Sequence, residues 1–442
     1  MLIITTSRRC VYRYAFDESD LEFSMSILGR MVEAQDDVPW DALNYITGQI
    51  NYGGRVTDDN DKTTLMAILR QYFTPEVLTE TYKFSPSGKY FAPPEGSLAD
   101  LRTYLDTLPV RDDPEIFGMH ENANTTFNTT QSLTMMEKIL ALQPRSGGGG
   151  GGKSPDQIVN ELAELFQAQV PQLLDSDDAG PTTFVVQSNG LLNSLAIVLT
   201  QEMIKFNKLI NAMNSSLRDI KKAIQGFIVM SPDLDDMYAA FNRNALPSMW
   251  VKVSFATLKS LASWVRDLTS RVAFFREWLV KGQPFAFALP VFFFPQGFMT
   301  GTLQTFARKY SVAIDTLTYK FNAKSMSKTE PSDLIEGPED GIYVYGMFLE
   351  GARWNYDEQR LEVSRPKEMF CSLPMVHFTP AVGHKCDPAE YACPIYKTSE
   401  RKGVLSTTGM STNFVVAMEL PTDLPPDTWV MYGVACLCNL TD

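Results

Sequence analysis

Two apolar stripes constrain this chain more than anything else in it. Leu199, Met203, Phe206, Ile210, Met213, Leu217, Ile220, Ile224 and Phe227 step by four and three residues without a break. Leu258, Leu261, Val265, Leu268, Val272, Phe275 and Leu279 step by three and four in the same way. A heptad seam of this kind lines one side of an α-helix and has to be buried against other helices. Ile204, Leu209, Ile228, Trp264, Phe274 and Trp278 add apolar surface outside the seams, which favours the core of a helical bundle over a free coiled coil. Residues 155–310 as a whole read as predominantly helical.

Beyond Tyr310 the period changes from helix to strand. Residues 317–321, 342–349, 413–418 and 429–440 are rich in β-branched and aromatic side chains and are separated by Gly, Pro and Asp clusters. Several short strands in such a span predict a small barrel or sandwich. Upstream, residues 1–120 read as short helices joined by turn-rich loops. Leu21, Met25, Leu28 and Met31 fall at helical spacing; a second helix covers residues 40–46 behind Pro39, and the chain breaks at residues 51–55. Asp58 or Asp59 can cap a helix through Leu65, Ile68, Leu69 and Tyr72, and residues 98–108 form another. A polar Asn/Thr stretch then leads into a helix at residues 133–142. Six glycines follow, Gly147 to Gly152, and read as a linker. At about 150 residues per domain, 442 residues fit about three. The expected division is 1–120, a connecting helix at 121–146, the linker at 147–154, helices at 155–330 and β structure at 331–442. The fold class is α+β multidomain.

Charge narrows the partners. Lys+Arg 39 against Asp+Glu 52 gives a net charge of -13, which repels phosphate backbones and anionic lipid unless a basic patch intervenes. The nearest candidate, Arg218 with Lys221 and Lys222, is interleaved with Asp219 and apolar residues, so neither nucleic acid nor membrane is expected as a partner. Six cysteines are too few for a disulfide framework in a chain this long. The start, MLIITTSRRC, lacks the order of a signal peptide, and no long apolar run is present; a soluble intracellular protein is expected.

Three groups of residues invite a chemical reading. Gly147, Gly152, Lys153 and Ser154 satisfy the Walker A expression, whose loop cradles phosphates with backbone N–H groups. That loop needs a buried strand before it. Here residues 136–142 are helix-like, no acidic strand end follows, and six glycines are costly to order. The linker reading is preferred; a free-standing P-loop NTPase using Gly147 to Ser154 is the alternative. Residues 57–61 (TDDND) form a carboxylate cluster, but Thr64 and Arg70 stand where an EF-hand needs ligands, so a helix cap with favourable dipole charge is the expectation. Cys371, His377, His384, Cys386 and Cys393 do not follow zinc spacing, and Cys436 and Cys438 share one face of an expected strand. With His120, His377 and His384 the only histidines, acid–base or nucleophilic catalysis has little material. No catalytic, cofactor-binding or metal site is assigned, and no cofactor is expected.

Longer strings carry a family resemblance. Residues 51–59 (NYGGRVTDD), 82–88 (YKFSPSG) and 90–94 (YFAPP) resemble the lid of the sixth AAA+ module of dynein heavy chains. Residues 116–123 (IFGMHENA) and 140–144 (LALQP) are similar to the passage from that lid into the C-terminal domain. Residues 203–210 (MIKFNKLI), 246–250 (LPSMW) and 306–310 (FARKY) resemble its helical part. Residues 346–354 (GMFLEGARW), 396–403 (YKTSERKG), 405–409 (LSTTG) and 411–415 (STNFV) resemble its final β part, in the axonemal rather than the cytoplasmic class. The resemblance covers essentially the whole chain. It implies an AAA+ lid, a helical bundle and a β-barrel, in a piece of a longer motor located in the cytoplasm, in the axoneme of a cilium or flagellum. That module does not hydrolyse ATP in the family, so no catalytic residue carries over. The implied role is structural and regulatory, bracing the AAA+ ring and modulating ATP-driven motility. The implied partners are the other AAA+ modules of the same heavy chain and, through the parent chain, dynein arm subunits. An independent microtubule-binding module is a third reading, disfavoured by the net charge because tubulin is itself acidic.

Overall fold

The computed structural model describes residues 10–12, 14–110, 112–142, 154–186, 190, 192–323, 329–406 and 409–441. The N-terminal third is helical: α1 (Glu18–Ala34), α2 (Trp40–Tyr45), α3 (Asp59–Tyr72), α4 (Leu98–Thr107) and α5 (Asn122–Leu142). The break expected at residues 51–55 does not occur. The coil of α2 continues as a π-helix, Ile46–Tyr52, and a 3-10 turn, Gly53–Arg55, because glycine at position 53 lets its backbone close onto the carbonyl of Gly48. α1 starts from a capping box made by Asp17 and Asp20. Its stripe is left outside, with Leu21, Met25 and Val32 exposed. α5 begins eleven residues before the expected start at 133, since the Asn/Thr segment joins the helix despite its weak propensity.

The heptad seams build the core. α7 (Ser194–Ile224), 31 residues and about 46 Å long, and α10 (Leu261–Lys281) pack with α6 (Pro155–Gln169), α8 (Pro232–Asn242) and the four-residue α9 (Ser248–Val251). On α7 the seam residues from Leu199 to Ile220 are 4% exposed or less, and on α10 those from Leu261 to Leu279 are 1% or less. The outermost members fall away: Phe227 lies in the loop after α7 and is 77% exposed, and Leu258 precedes α10. Trp250 and Trp264 stack between the helices at 5.6 Å, with Trp250 Nε1 donating to Ser216 Oγ on α7 at 2.9 Å.

The β structure is three open sheets, and among the described residues none closes into the barrel that was expected. β1 (Ala286–Ala288), β2 (Leu317–Asn322), β3 (Ile342–Tyr345) and β8 (Val376–Val382) form one sheet in the order β1-β3-β8-β2, parallel only between β1 and β3. β4 (Phe348–Glu350), β7 (Phe370–Ser372), β9 (Glu390–Thr398), β10 (Phe414–Pro421) and β11 (Ala435–Asn439) form the second, in the order β10-β9-β11-β4-β7, parallel only between β9 and β11. β5 (Ala352–Asn355) and β6 (Arg360–Val363) make a hairpin. The single run expected at 342–349 is two strands in different sheets, because Gly346 at φ +85° turns the chain between them. The run expected at 429–440 is likewise split. Pro426 at the first helical position starts α12 (Pro426–Tyr432), Gly433 at φ +68° ends it, and only then does β11 begin. α11 (Pro295–Tyr310) links bundle and sheets. One continuous hydrophobic core runs from Val159 to Cys438 through helices and both larger sheets.

Candidate functional site: the joint between the N-terminal helices and the second sheet

The best-built polar constellation is a joint that ties α3 to the loop 399–413 beyond β9. Asp58 caps α3: one carboxylate oxygen accepts from the Asn60 and Asp61 amides at 2.9 and 3.4 Å. That much the cap reading anticipated. The other oxygen, on a fully buried side chain, accepts from the amide of Ser411 at 3.2 Å, 353 residues away. Asp61, one turn later and 1% exposed, gathers the segment ahead of α1. It accepts from the Val11 amide at 2.7 Å, the Tyr12 amide at 3.1 Å and the Tyr14 hydroxyl at 2.8 Å. Next to it, Asn60 Nδ2 donates to the Tyr396 hydroxyl at 3.1 Å, and the Tyr12 hydroxyl donates to the Gly403 carbonyl at 2.8 Å. Val11 is buried with Tyr396, Ala435 and Leu437, so an apolar plug lies beside the hydrogen bonds.

The receiving side is itself held stiffly. Arg401, at φ +57°, donates to Glu350 Oε2 and to the Gly433 carbonyl, both at 2.7 Å, and accepts at its own carbonyl from Ser411 Oγ at 2.8 Å. Asn413 bridges the loop, accepting from the Thr398 amide at 3.0 Å and donating to Thr398 Oγ1 at 2.8 Å. Two further ties flank the joint. Arg70 on α3 makes a bidentate pair with Asp427 of α12, both contacts 2.8 Å. Asn122, at the start of α5, donates to the carbonyls of Arg365 and Glu368 at 2.9 and 3.1 Å and accepts from the Lys367 amide at 2.7 Å. His120 stands edge-on to Tyr432 at 5.7 Å.

Burial sets the electrostatics of the joint. It pushes the Asp61 carboxyl up to about 6, against the opposing pull of the Val11 and Tyr12 amides. It also raises Asp58, which the Ser411 amide partly offsets, and the Tyr14 and Tyr396 hydroxyls. Two buried carboxyls with all their donors supplied by the protein's own backbone and side chains hold structure together; they leave no oxygen aimed at a substrate.

The other candidate residues are placed apart. His377 Nε2 lies 2.8 Å from the Asp340 carbonyl, and His384 Nε2 bonds Glu419 at 2.8 Å. Cys371 is half-buried, Cys386 exposed and Cys393 buried, and among the described residues no three His, Cys, Asp or Glu side chains gather as a metal site. Cys436 lies against Cys393, and burial pushes the Cys438 thiol up to about 12, far from a nucleophile's range. Gly147 to Gly152 and Lys153 lie outside the described residues. Ser154 caps α6, accepting from the Gln157 amide at 3.2 Å, and the described element before the glycines is the helix α5. Among the described residues no helix is long and apolar enough to cross a membrane.

Sequence reasoning offered Asp58 or Asp59 as the cap; the structure takes Asp58, and its second bond was missed. The signal present was the excess of acid at residues 58, 59 and 61 over what one cap needs.

Comparison with known proteins gives a coherent result. Residues 11–123 match the family model of the AAA lid domain of dynein heavy chains, and residues 129–438 match that of their C-terminal domain. The protein is 45% identical over 446 residues to dynein axonemal heavy chain 6 of Homo sapiens, covering 97% of its own length and 11% of the relative. It is 41% identical to dynein axonemal heavy chain 1 of Rattus norvegicus, covering 97% and 9%. It is 40% identical to dynein axonemal heavy chain 12 of the same species, covering 97% and 14%. It thus spans about a tenth of the length of these relatives. The joint lies where the two family matches meet in space.

Proposed function

The protein belongs to the dynein heavy chain family, with the lid and C-terminal domain of that family in one piece, and from this we propose that it is a non-catalytic brace within an axonemal dynein heavy chain. It braces the AAA+ ring and modulates ATP-driven movement on microtubules, in the cytoplasm, at the axoneme of a cilium or flagellum. Its partners are the other AAA+ modules of its own heavy chain and, through that chain, the subunits of a dynein arm. ATP hydrolysis belongs to those modules, and this stretch carries no catalytic, cofactor or metal residue. Residues 1–120 act as the lid, 121–146 as the connecting helix, 147–154 as linker, 155–330 as the helical part and 331–442 as the β part. The two larger sheets face one another as a sandwich.

The observation that carries the reading is the joint. Asp58 and Asp61 spend buried carboxyl groups on fastening α3 to the loop 399–413 and to the segment entering α1. A flexible appendage has no need of such a tie, whereas a part that passes strain from a lid to a C-terminal domain does. The test is made in the parent heavy chain, comparing wild type with Asp61→Ala combined with Arg70→Ala. The expected result is that nucleotide binding persists while microtubule gliding velocity changes at least about twofold. Unchanged gliding and unchanged ATPase would remove the role. Titration of a fluorescent ATP analogue against this protein and its Lys153→Ala variant addresses the P-loop alternative; Mg²⁺-dependent binding lost in the variant would favour that alternative.

A further inference from the structure

Lys205 on α7 and Lys397 on β9 converge on a single ring. Their ammonium groups lie 4.7 and 5.6 Å from the centroid of Phe294, the residue that leads into α11, and that ring is 44% exposed. Neither ammonium makes a hydrogen bond or ion pair among the described residues. Both lysines are half-buried, and the carboxylate that acts on them, Glu202, makes no ion pair with either. Glu202 is buried, and its oxygens accept from the amides of Phe293 and Phe294 at 2.7 and 3.1 Å. Arg271, the remaining nearby cation, is committed to Asp267 at 3.0 Å and Asn439 at 2.7 Å. Burial, and then the positive charge of Lys205, both work against the Lys397 ammonium, while the Cys438 side chain and Glu202 favour it.

The geometry is fixed rather than incidental. Phe294 lies over the first turn of α11, where a Cβ on Gly297 would run into the ring. Gln296 pins that turn to β10 and the loop before it, donating to the carbonyls of Phe414 at 2.6 Å and Thr412 at 3.1 Å. The lysines stand on a long helix and a central strand, so all three side chains project from rigid elements. A ring shared by two ammonium groups attracts both and leaves both charges in place. A carboxylate set between them would neutralise one charge and accept strong bonds from both. An apolar neighbour of that carboxylate would cover the ring.

We infer that Lys205, Lys397 and Phe294 form a docking site for a protein segment that presents a Glu or Asp carboxylate beside an apolar side chain. The cavities lined by Leu173 and Asn207 and by Tyr345 and Met375 include neither lysine nor Phe294, so the site is read as a surface for a protein segment. Screening within about 8 Å at physiological salt lets the local positive pair act despite the overall negative charge. This proposal does not depend on the brace reading.

The test uses the full protein and two fluorescein-labelled peptides, one centred on Glu-Leu-Glu and one on Gln-Leu-Gln, followed by fluorescence anisotropy. The acidic peptide is expected to bind and the neutral one to bind at least about tenfold more weakly. Lys205→Gln and Phe294→Ala are each expected to weaken the acidic peptide about tenfold, and Lys252→Gln, on an exposed lysine of the bundle, to leave it unchanged. Lys205 lies on the helix surface, so circular dichroism of Lys205→Gln should match wild type, and that variant is decisive even if Lys397→Gln folds poorly. Equal binding of the two peptides, equal binding by wild type and Lys205→Gln, absence of binding, or competition by inorganic phosphate as effective as by the acidic peptide would each overturn the site.

Discussion

Asp61→Ala removes the acceptor for three donors at once: the amides of Val11 and Tyr12 and the hydroxyl of Tyr14. All three lose their partner at a position that is 1% exposed. At about 1 kcal/mol each, the loss comes to roughly 3 kcal/mol at neutral pH, a sizeable share of a typical stability of about 5–15 kcal/mol. The pH dependence has a definite sign. Burial raises the folded-state carboxyl from 3.8 to about 6, so the folded state holds this proton more tightly than the unfolded chain. Its contribution to stability is therefore fully present below pH 3.8 and is lost as pH rises through about 6. A shift of about two units corresponds to about 3 kcal/mol. The penalty of Asp61→Ala should then grow from roughly 3 kcal/mol at neutral pH to roughly 5–6 kcal/mol in acid. Asp61→Asn, which keeps one oxygen, should lose about half as much at neutral pH.

The assay is urea unfolding at several pH values, with native-state hydrogen exchange of the α3 amides to localise the loss, because a protein of several parts need not unfold in one step. Exchange should quicken in α3 and at residues 10–16 and stay unchanged in the α7–α10 seam. A penalty below about 0.5 kcal/mol would refute the idea that Asp61 holds the joint. A penalty that shrinks on acidification would refute the electrostatics, since it would mean the carboxylate is held ionised.

Other substitutions probe the rest of the frame. Gly341→Ala places a Cβ at φ +80° against the carbonyl of Phe378; it should destabilise by more than about 2 kcal/mol, read as a lowered urea midpoint, through backbone strain plus a clash that no side chain can relieve. Trp250→Phe removes a buried bond to Ser216 Oγ and leaves a gap between α7 and α10; a loss of about 2–3 kcal/mol is expected in the same assay. With a net charge of -13, the protein should fail to co-sediment with microtubules at moderate salt, and robust co-sedimentation would contradict that reading.

The bundle was legible because burial of one helix face leaves a period in the sequence, and the seam from Leu199 to Ile220 is buried as that period requires. The pattern could not mark where α7 stops, since Phe227 continues the spacing beyond the helix. The β runs at 317–321 and 413–418 were legible as strands, β2 and β10, whereas those at 342–349 and 429–440 were legible only as composition. Gly346 and Gly433 take positive φ and redirect the backbone, and a residue type alone does not say which glycine does so. α5 was read short because Asn and Thr argue against helix locally, while Asn122 is fixed by the carbonyls of Arg365 and Glu368 far along the sequence. The joint was least legible. Asp58 meets Ser411, and Asn60 meets Tyr396, across more than 300 residues, a separation that leaves no local pattern to read.

The central claim is that the lid helices and the C-terminal part move as one body fastened at the joint. Spin labels at the exposed positions Thr63 on α3 and Lys320 on β2, in a background with the accessible cysteines replaced by serine, measure that directly by pulsed electron resonance. The account predicts a single narrow distance distribution in the otherwise unaltered protein, broadening when Asp61→Ala is added. A distribution already broad or two-peaked before that substitution would contradict it.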